Sequence, residues 1–279
     1  MPIHDQGYRR YQGSRSAIGK SWKVMATAGV MTMVKKRVFI ALMLWGWAPF
    51  VVRAIQIYGS ETYAQLTFLA PKGETFREFL DQQGLFVFFV TIWVGAGLIA
   101  NDRRANALQL YLSKPMTSAE YIAGKFAILF VFLISVTFLP AIMLLLTQAI
   151  LAGSLTFIRN NIYLLPAITL YSLILVITTS VTMLALSSLS KSSRFVGVMF
   201  AGLVFFTLAL FNALRGIMGT SSFAWLAPSA ALAQLGDVIF RLPPRYTVSP
   251  AAAALTVIVL IGASVWILHR RVRGVEIVT

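Results

Sequence analysis

Six long apolar segments, separated by short polar stretches, are the feature that most constrains how this 279-residue chain can fold. The clearest is Phe126–Ile150, 25 residues without a charged side chain. At 1.5 Å per residue, a helix of this length crosses a hydrocarbon core of about 30 Å. The other five segments are Val38–Tyr58, Gly84–Ala100, Ile162–Ser187, Phe195–Leu214 and Pro250–Leu268. The sequence therefore predicts an all-α integral membrane protein with six transmembrane helices.

Charged residues make up only 12% of the chain, against about 25% in soluble domains. Arg53 is the only ionisable side chain inside the six predicted segments. Transporters driven by ion gradients carry ionisable groups within the membrane, so we expect any active transport here to draw its energy from a partner. We predict an N-terminal tail with an interfacial helix over residues 1–37 and one six-span domain over residues 38–279. The first span is expected to be retained, because no small-residue cleavage site follows it.

The net charge of +15 is distributed asymmetrically. Six spans place both termini and the second and fourth connections on one side, which carries 17 of the 24 lysines and arginines. By the positive-inside rule this side is cytoplasmic, where it faces anionic lipid. We do not expect nucleic-acid binding, which needs a folded basic face with base-reading or stacking groups.

A further apolar stretch, Phe223–Phe240, tests the count of six spans. It contains Pro228 and Asp237, and a seventh crossing would move the basic C-terminal residues to the outer side. We therefore predict a re-entrant or interfacial hairpin on the outer face before the sixth span. Backbone at that depth must be surrounded by protein, because lipid offers no hydrogen-bond partners.

Residues 16–37 place an apolar side chain or glycine on one side of a predicted helix, at Ile18, Trp22, Met25, Gly29 and Met33. Such an amphipathic helix lies in the headgroup plane. It is either an elbow helix that also contacts a cytoplasmic partner or a plain membrane anchor.

A sequence within this region, Gly13–Ser21, is similar to a phosphate-binding loop but has five residues between its glycines instead of four. No apolar strand precedes it. We therefore expect no nucleotide to bind to this chain.

The second connection on the basic side, Asn101–Lys125, is the most informative polar segment. Arg103–Leu112 is rich in helix-forming residues, and Leu108 and Leu112 share one face of the predicted helix. Pro115 ends it, and Thr117–Glu120 is a capping-box pattern that begins the next helix. The short helix either couples to a partner or is an ordinary interfacial helix.

The stretch from Asp102 to Lys125 resembles the membrane subunits of ATP-binding-cassette exporters, the type 2 permease family. The matching residues are Arg103, Leu108, Leu112, Ser113, Pro115, Gly124 and Lys125. The departures are Asp102 for the usual Glu, Asn106 and Ala107 for Gly-Thr, Gln109 for Glu and Ser118 for Arg. The layout of six spans, N-terminal helix and apolar hairpin extends the resemblance over the chain.

The resemblance implies a homodimer or heterodimer of permease subunits in a prokaryotic plasma membrane, exporting substrate from the cytoplasm or inner leaflet. ATP and Mg²⁺ would be bound by separate ATPase subunits, each held by the coupling helix. Asp102, Arg103, Arg104 and Lys114 are then expected to make polar contacts with the ATPase. Leu108 and Leu112 would form the apolar docking face, and Pro115 would set the bend.

Inside the membrane, hydroxyl groups are the candidates for a substrate path. They cluster at Thr178, Thr179 and Thr182 in the fourth span and at Ser135 and Thr137 in the third. Such groups also hold helices together, and both interpretations remain open. Arg53 either extends to the outer headgroups or binds an anionic substrate or headgroup.

No catalytic set of polar residues and no metal-ligand cluster is recognisable, so we do not predict an enzyme. Two alternatives to an exporter subunit remain: a secondary transporter, and a non-transport membrane subunit of an ATP-driven complex. The short outer loops favour a lipid-like, drug-like or small cargo.

Overall fold

The computed structural model describes residues 21–107 and 116–272, and every regular element in these two ranges is a helix. Six helices are long and apolar enough to cross a membrane, which confirms the prediction of an all-α, multi-pass membrane protein. They are span 1 (Arg37–Thr62), span 2 (Gly73–Arg104), span 3 (Ser118–Leu151), span 4 (Leu164–Leu189), span 5 (Ser193–Met218) and span 6 (Pro250–Arg271).

Spans 1, 2 and 3 are interrupted helices. Their segments are Arg37–Gly46 and Ala48–Thr62 in span 1; Gly73–Val90, a π-helical turn Thr91–Gly95 and Ala100–Arg104 in span 2; and Ser118–Val136 and Phe138–Leu151 in span 3. Pro49 and Pro140 account for the breaks in spans 1 and 3, because proline has no N–H for the carbonyl four residues earlier.

Shorter helical elements lie outside the spans. They are a leading helix (Ser21–Val34), 3₁₀ turns at Ala64–Leu69 and Ser222–Leu226, a short helix Thr156–Asn160, and an interspan helix (Pro228–Ile239) between spans 5 and 6. The interspan helix has 12 residues and is therefore about 18 Å long, too short to cross the membrane. The stretch Phe223–Phe240 thus does not form a seventh span.

Span 2 begins at Gly73, eleven residues before the predicted Gly84. Its first turns carry Glu74, Arg77, Glu78 and Asp81, so the expectation that Arg53 is the only ionisable side chain within a span was wrong. Hydropathy underestimated the length of this helix because its first turns carry four charged side chains, and the distant partners of Arg77, Glu78 and Asp81 are not visible in the local sequence.

The even number of spans places the start of span 1 and the end of span 6 on one side, called the terminal face here; the other side is the distal face. Spans 2, 3 and 4 form the interior, with more than half of their most apolar stretches buried, against less than a quarter in spans 1, 5 and 6. Lipid or a second subunit must therefore cover the three peripheral spans.

The segment between spans 5 and 6 packs below the distal ends of both spans. Ala224 and Ala227 belong to one buried apolar cluster with Phe211, which lies seven residues before the end of span 5. The Thr256 hydroxyl, six residues into span 6, donates to the Trp225 carbonyl at 3.2 Å. Phe211 and Thr256 lie roughly 10 Å along their helices from the distal ends of spans 5 and 6.

Candidate functional site

Asp102 lies in the last helical turn of span 2, where it joins that span to span 3. Its Oδ2 atom accepts hydrogen bonds from Lys125 Nζ and from the Tyr121 hydroxyl, both at 2.7 Å. Lys125 and Tyr121 are both buried. The ion pair thus joins the two ends of the 102–125 connection between spans 2 and 3.

Arg103 links the same turn to span 4, because its guanidinium donates to the Ser188 carbonyl. Arg104 is exposed at the terminal face. Four charged residues were predicted to contact an ATPase, and three of them lie in the described part of the chain. Asp102 and Arg103 have partners within the chain, and Arg104 is exposed. Leu108, Leu112, Lys114 and Pro115 lie outside the described residues.

The start of span 3 has the capping box that the sequence predicts. Thr117 Oγ1 accepts from the Glu120 backbone N–H at 3.2 Å, and the Glu120 carboxylate accepts from the Thr117 N–H at 3.0 Å. This confirms the pattern, which satisfies two of the N–H groups that a helix start leaves unpaired. The connection between spans 2 and 3 thus has defined hydrogen bonds at both of its ends, at Asp102 and Arg103 and at Thr117 and Glu120.

The leading helix packs against the start of span 3. Its half-buried face includes Trp22, Met25 and Gly29, three of the residues predicted to share one side. At Gly124 an added Cβ would lie 3.1 Å from the Trp22 carbonyl oxygen and from Met25, so the two helices approach closely there. Val24 and Met31 are exposed on the opposite side, which is therefore less polar than the amphipathic prediction implies.

A groove of about 1380 Å³ opens on the terminal face between the leading helix and the ends of spans 2, 3 and 5. Its described lining includes Lys23, Lys36, Lys125 and Arg194, with Asp102 as the acidic group among them. The excess of cations favours anionic groups, such as lipid phosphates or acidic side chains of a partner.

Inside the membrane, three of the five predicted path residues lie together. Thr178, Thr179 and Thr182 line a cavity of about 240 Å³ that spans 2, 4 and 5 form with the interspan helix and with Leu260 of span 6. Ser135 and Thr137 do not line it. Their hydroxyls donate to backbone carbonyls of their own helix, both at 2.7 Å, as expected for residues that serve packing.

Arg53 has a partner that sequence analysis did not consider. Its guanidinium donates to Glu78 of span 2 and to Gln56 of its own helix, both at 3.0 Å. The side chain is 13% exposed, so it lies largely between spans 1 and 2. Glu78 is half exposed and keeps the pair accessible from the distal face.

A charge cluster at the distal end of the cavity was missed by sequence reasoning. The fully buried Arg77 pairs with Asp81, lies 3.3 Å from Asp237 and stacks on the ring of Tyr171 at 4.5 Å. Arg245, in the loop after the interspan helix, makes two 2.7 Å bonds to Asp237 and one of 2.9 Å to Asp81.

The hydrogen bonds that Arg245 donates to the Asp237 carboxylate raise the pKa of the guanidinium above its ordinary value, so that the group remains charged. The cluster contains two arginines and two aspartates and is formally neutral. The four-residue spacing of Arg77 and Asp81 was visible in the sequence, but its connection to Asp237 depends on the fold.

Across residues 21–107 and 116–272, no three His, Asp or Glu side chains lie close enough together to hold a metal ion. Two sets of polar contacts among the described residues instead join elements of the fold. At the terminal face they join spans 2, 3 and 4 around the 102–125 connection, and at the distal face they hold the interspan helix against spans 2 and 4.

No protein-family model matches the chain, and no curated protein sequence matches it.

Proposed function

We propose that this chain is the membrane-spanning permease subunit of an ATP-binding-cassette exporter of type 2. A separate subunit would bind ATP and Mg²⁺, and this chain, as a homodimer or heterodimer, would move substrate outward from the cytoplasm or inner leaflet of a prokaryotic plasma membrane. The observation that carries the proposal is the Asp102–Lys125 ion pair, which closes the base of the segment that resembles the family.

The terminal face suits the transmission of force. A partner that displaces the 102–125 connection acts on span 3 through Asp102 and on span 4 through Arg103. Since spans 2, 3 and 4 form the interior of the fold, such a displacement reaches the residues that line the cavity. A coupling helix in this connection fits that role.

The finer parts of the fold fit the same family. The leading helix lies against the start of span 3 as an elbow helix would, with both termini on the cytoplasmic side. The segment Ser222–Ile239 lies between two distal span ends and packs against Phe211 and Thr256, which lie roughly 10 Å from those ends, as a re-entrant hairpin would.

A secondary transporter is the second candidate, and the buried charge cluster of Arg77, Asp81, Asp237 and Arg245 favours it. Ion-coupling sites in such transporters lie near the middle of the bilayer, at discontinuous helices. Arg77 and Asp81 instead lie in the first turns of span 2, at the distal end. The position of the cluster is therefore better suited to holding the interspan helix in place.

Co-purification tests the proposal. The tagged chain, extracted from native membranes in mild detergent, is expected to retain a stoichiometric protein with Walker motifs that hydrolyses ATP. The double variant Leu108→Asp/Leu112→Asp is expected to lose this partner while its own thermal stability is unchanged. Leu110→Asp, on the other side of the predicted helix, is the matched control.

Two results would contradict the proposal. One is a chain that purifies alone and without ATPase activity under the mildest extraction, which would favour the secondary transporter. The other is a double variant that keeps its ATPase, which would remove the docking role of Leu108 and Leu112.

A further inference from the structure

The cavity beside Thr178 is a membrane-embedded pocket with a mainly apolar wall. Most of its lining is aliphatic or aromatic, including Val87 and Phe88 of span 2 and Phe200 of span 5. Its volume of about 240 Å³ is below the roughly 300–1,000 Å³ of sites for drug-sized ligands. The size therefore favours a small molecule or a single alkyl chain.

The hydroxyls of Thr178 and Thr182 differ from those of most helical threonines in the described residues. Eight threonines in the described helices donate to the carbonyl four residues earlier: Thr27, Thr32, Thr137, Thr147, Thr169, Thr179, Thr207 and Thr256. Thr178 and Thr182 are buried, and their hydroxyls have no partner among the described residues.

Ser229, on the interspan helix across the cavity, has a shielded hydroxyl that is likewise unpartnered in the described part of the chain. Thr91, Ser172 and Ser180 also have buried hydroxyls without a partner among the described residues, but these three residues do not line the cavity. Buried polar groups without partners cost free energy. Because rotation about χ1 exchanges the hydroxyl and methyl of a threonine, Thr178 and Thr182 can each turn a hydroxyl toward a ligand.

The charges at the cavity exclude an ionic ligand. Asp81 is the only ionisable carboxylate in its described lining, and both Arg77 and Arg245 pair with it. A charged ligand would enter an apolar space without a free counter-charge, which is unfavourable.

Gly84 leaves one side of the cavity open. A Cβ added there would meet no other atom within 4 Å, although the residue lies in the wall. A larger side chain at this position therefore begins in open space at the cavity wall, which makes Gly84 a suitable position for a variant that blocks the cavity.

From the apolar wall, the unpartnered hydroxyls and the absence of a free charge, we propose that this cavity is a binding site for a small neutral amphiphile. The apolar body would contact the aliphatic and aromatic wall, and a hydroxyl or similar polar end would pair with Thr178 and Thr182. The inference concerns this chain alone and does not depend on an ATPase partner.

The test uses 1-octanol that carries a photoreactive diazirine, with the purified chain in detergent and peptide mapping by mass spectrometry. We expect saturable labelling of peptides from spans 4 and 5 and the interspan helix, reduced by unlabelled 1-octanol. Diazirine derivatives of octane and of octylammonium are expected to label these peptides at least tenfold less efficiently. Equal labelling by all three probes, or labelling that does not saturate, would overturn the proposal.

Variants separate a binding role from a packing role. Thr178→Val/Thr182→Val keeps the side-chain shape and is expected to weaken octanol binding about tenfold without lowering the unfolding temperature. Thr179→Val is the matched control, because the Thr179 hydroxyl lines the same cavity but already donates to Leu175. An unchanged affinity in the double variant would contradict the role of the two hydroxyls.

Gly84→Leu tests the cavity itself, whatever the effect of the threonine variants. It is expected to abolish saturable labelling, whereas Gly202→Leu, at an exposed position of span 5 with open space around it, is expected to leave labelling unchanged. Saturable labelling that persists in a folded Gly84→Leu variant would show that the probe binds elsewhere.

Discussion

At the scale of single residues, the fold depends on how Arg77 is accommodated in a membrane helix. Its guanidinium stacks on Tyr171, pairs with Asp81 and Asp237, and donates to the Ala233 carbonyl at 3.0 Å. The planar group of arginine suits this combination of stacking and hydrogen bonding better than an ammonium would. A buried ion pair is strongly destabilising when one partner is lost, so the position of each partner matters.

Gly236 provides the space for this guanidinium. A Cβ at Gly236 would lie 2.4 Å from Arg77 Nε and 2.6 Å from its Cζ, and the guanidinium is held by its partners. We therefore expect Gly236→Ala to lower the unfolding free energy by about 1–3 kcal/mol, measured by denaturant unfolding in detergent. Gly216→Ala, in span 5 with open space around it, is the control and should show no loss. Equal stability of the two variants would mean that the guanidinium can move aside.

At the scale of elements, the change of direction near the end of span 2 is held by a side chain of span 4. Ser187 Oγ accepts from the backbone N–H groups of Ile99 and Ala100, at 3.1 and 3.0 Å, and donates to the Ala96 carbonyl at 2.9 Å. These are groups that the π-helical turn and the break after it leave without helical partners. The last turn of span 2, which carries Asp102, is thereby fixed to span 4.

Ser187→Ala is expected to destabilise the fold by about 1–3 kcal/mol, because it leaves buried backbone groups without partners. Ser188→Ala is the matched control: Ser188 is equally buried, but its hydroxyl donates only to the Ala185 carbonyl of its own helix. Thermal unfolding in detergent compares the two. A loss in Ser188→Ala as large as that in Ser187→Ala would contradict the bridging role.

The features that could be predicted from the sequence are those that depend on residues close together in the chain. Unbroken apolar runs predicted six spans, the Thr117–Glu120 pattern predicted the start of span 3, and the threonines of span 4 were selected because they cluster within five residues. The start of span 2 and the charge cluster were missed, because the ion pair of Arg77 and Asp237 joins residues that are 160 positions apart in the sequence. Likewise, Ser229 becomes part of the cavity only when the interspan helix packs against spans 2 and 4.

At the scale of the whole molecule, polar contacts are concentrated at the two ends of an apolar bundle. The terminal end joins three interior spans through Asp102, Lys125 and Arg103, and the distal end joins the interspan helix to spans 2 and 4. The cavity lies between them. In the proposed exporter, this arrangement would convert a displacement at the terminal face into movement of the residues that line the cavity.

The most direct test of this account maps the partner to the terminal face. The chain contains no cysteine, so Arg104→Cys and, on the distal side, Lys72→Cys each offer one attachment point for a photoreactive maleimide in native membranes. We expect position 104 to cross-link an ATPase with Walker motifs, and position 72 not to. Cross-linking of the ATPase from position 72, or a failure of position 104 to cross-link any ATPase, would contradict the proposed function.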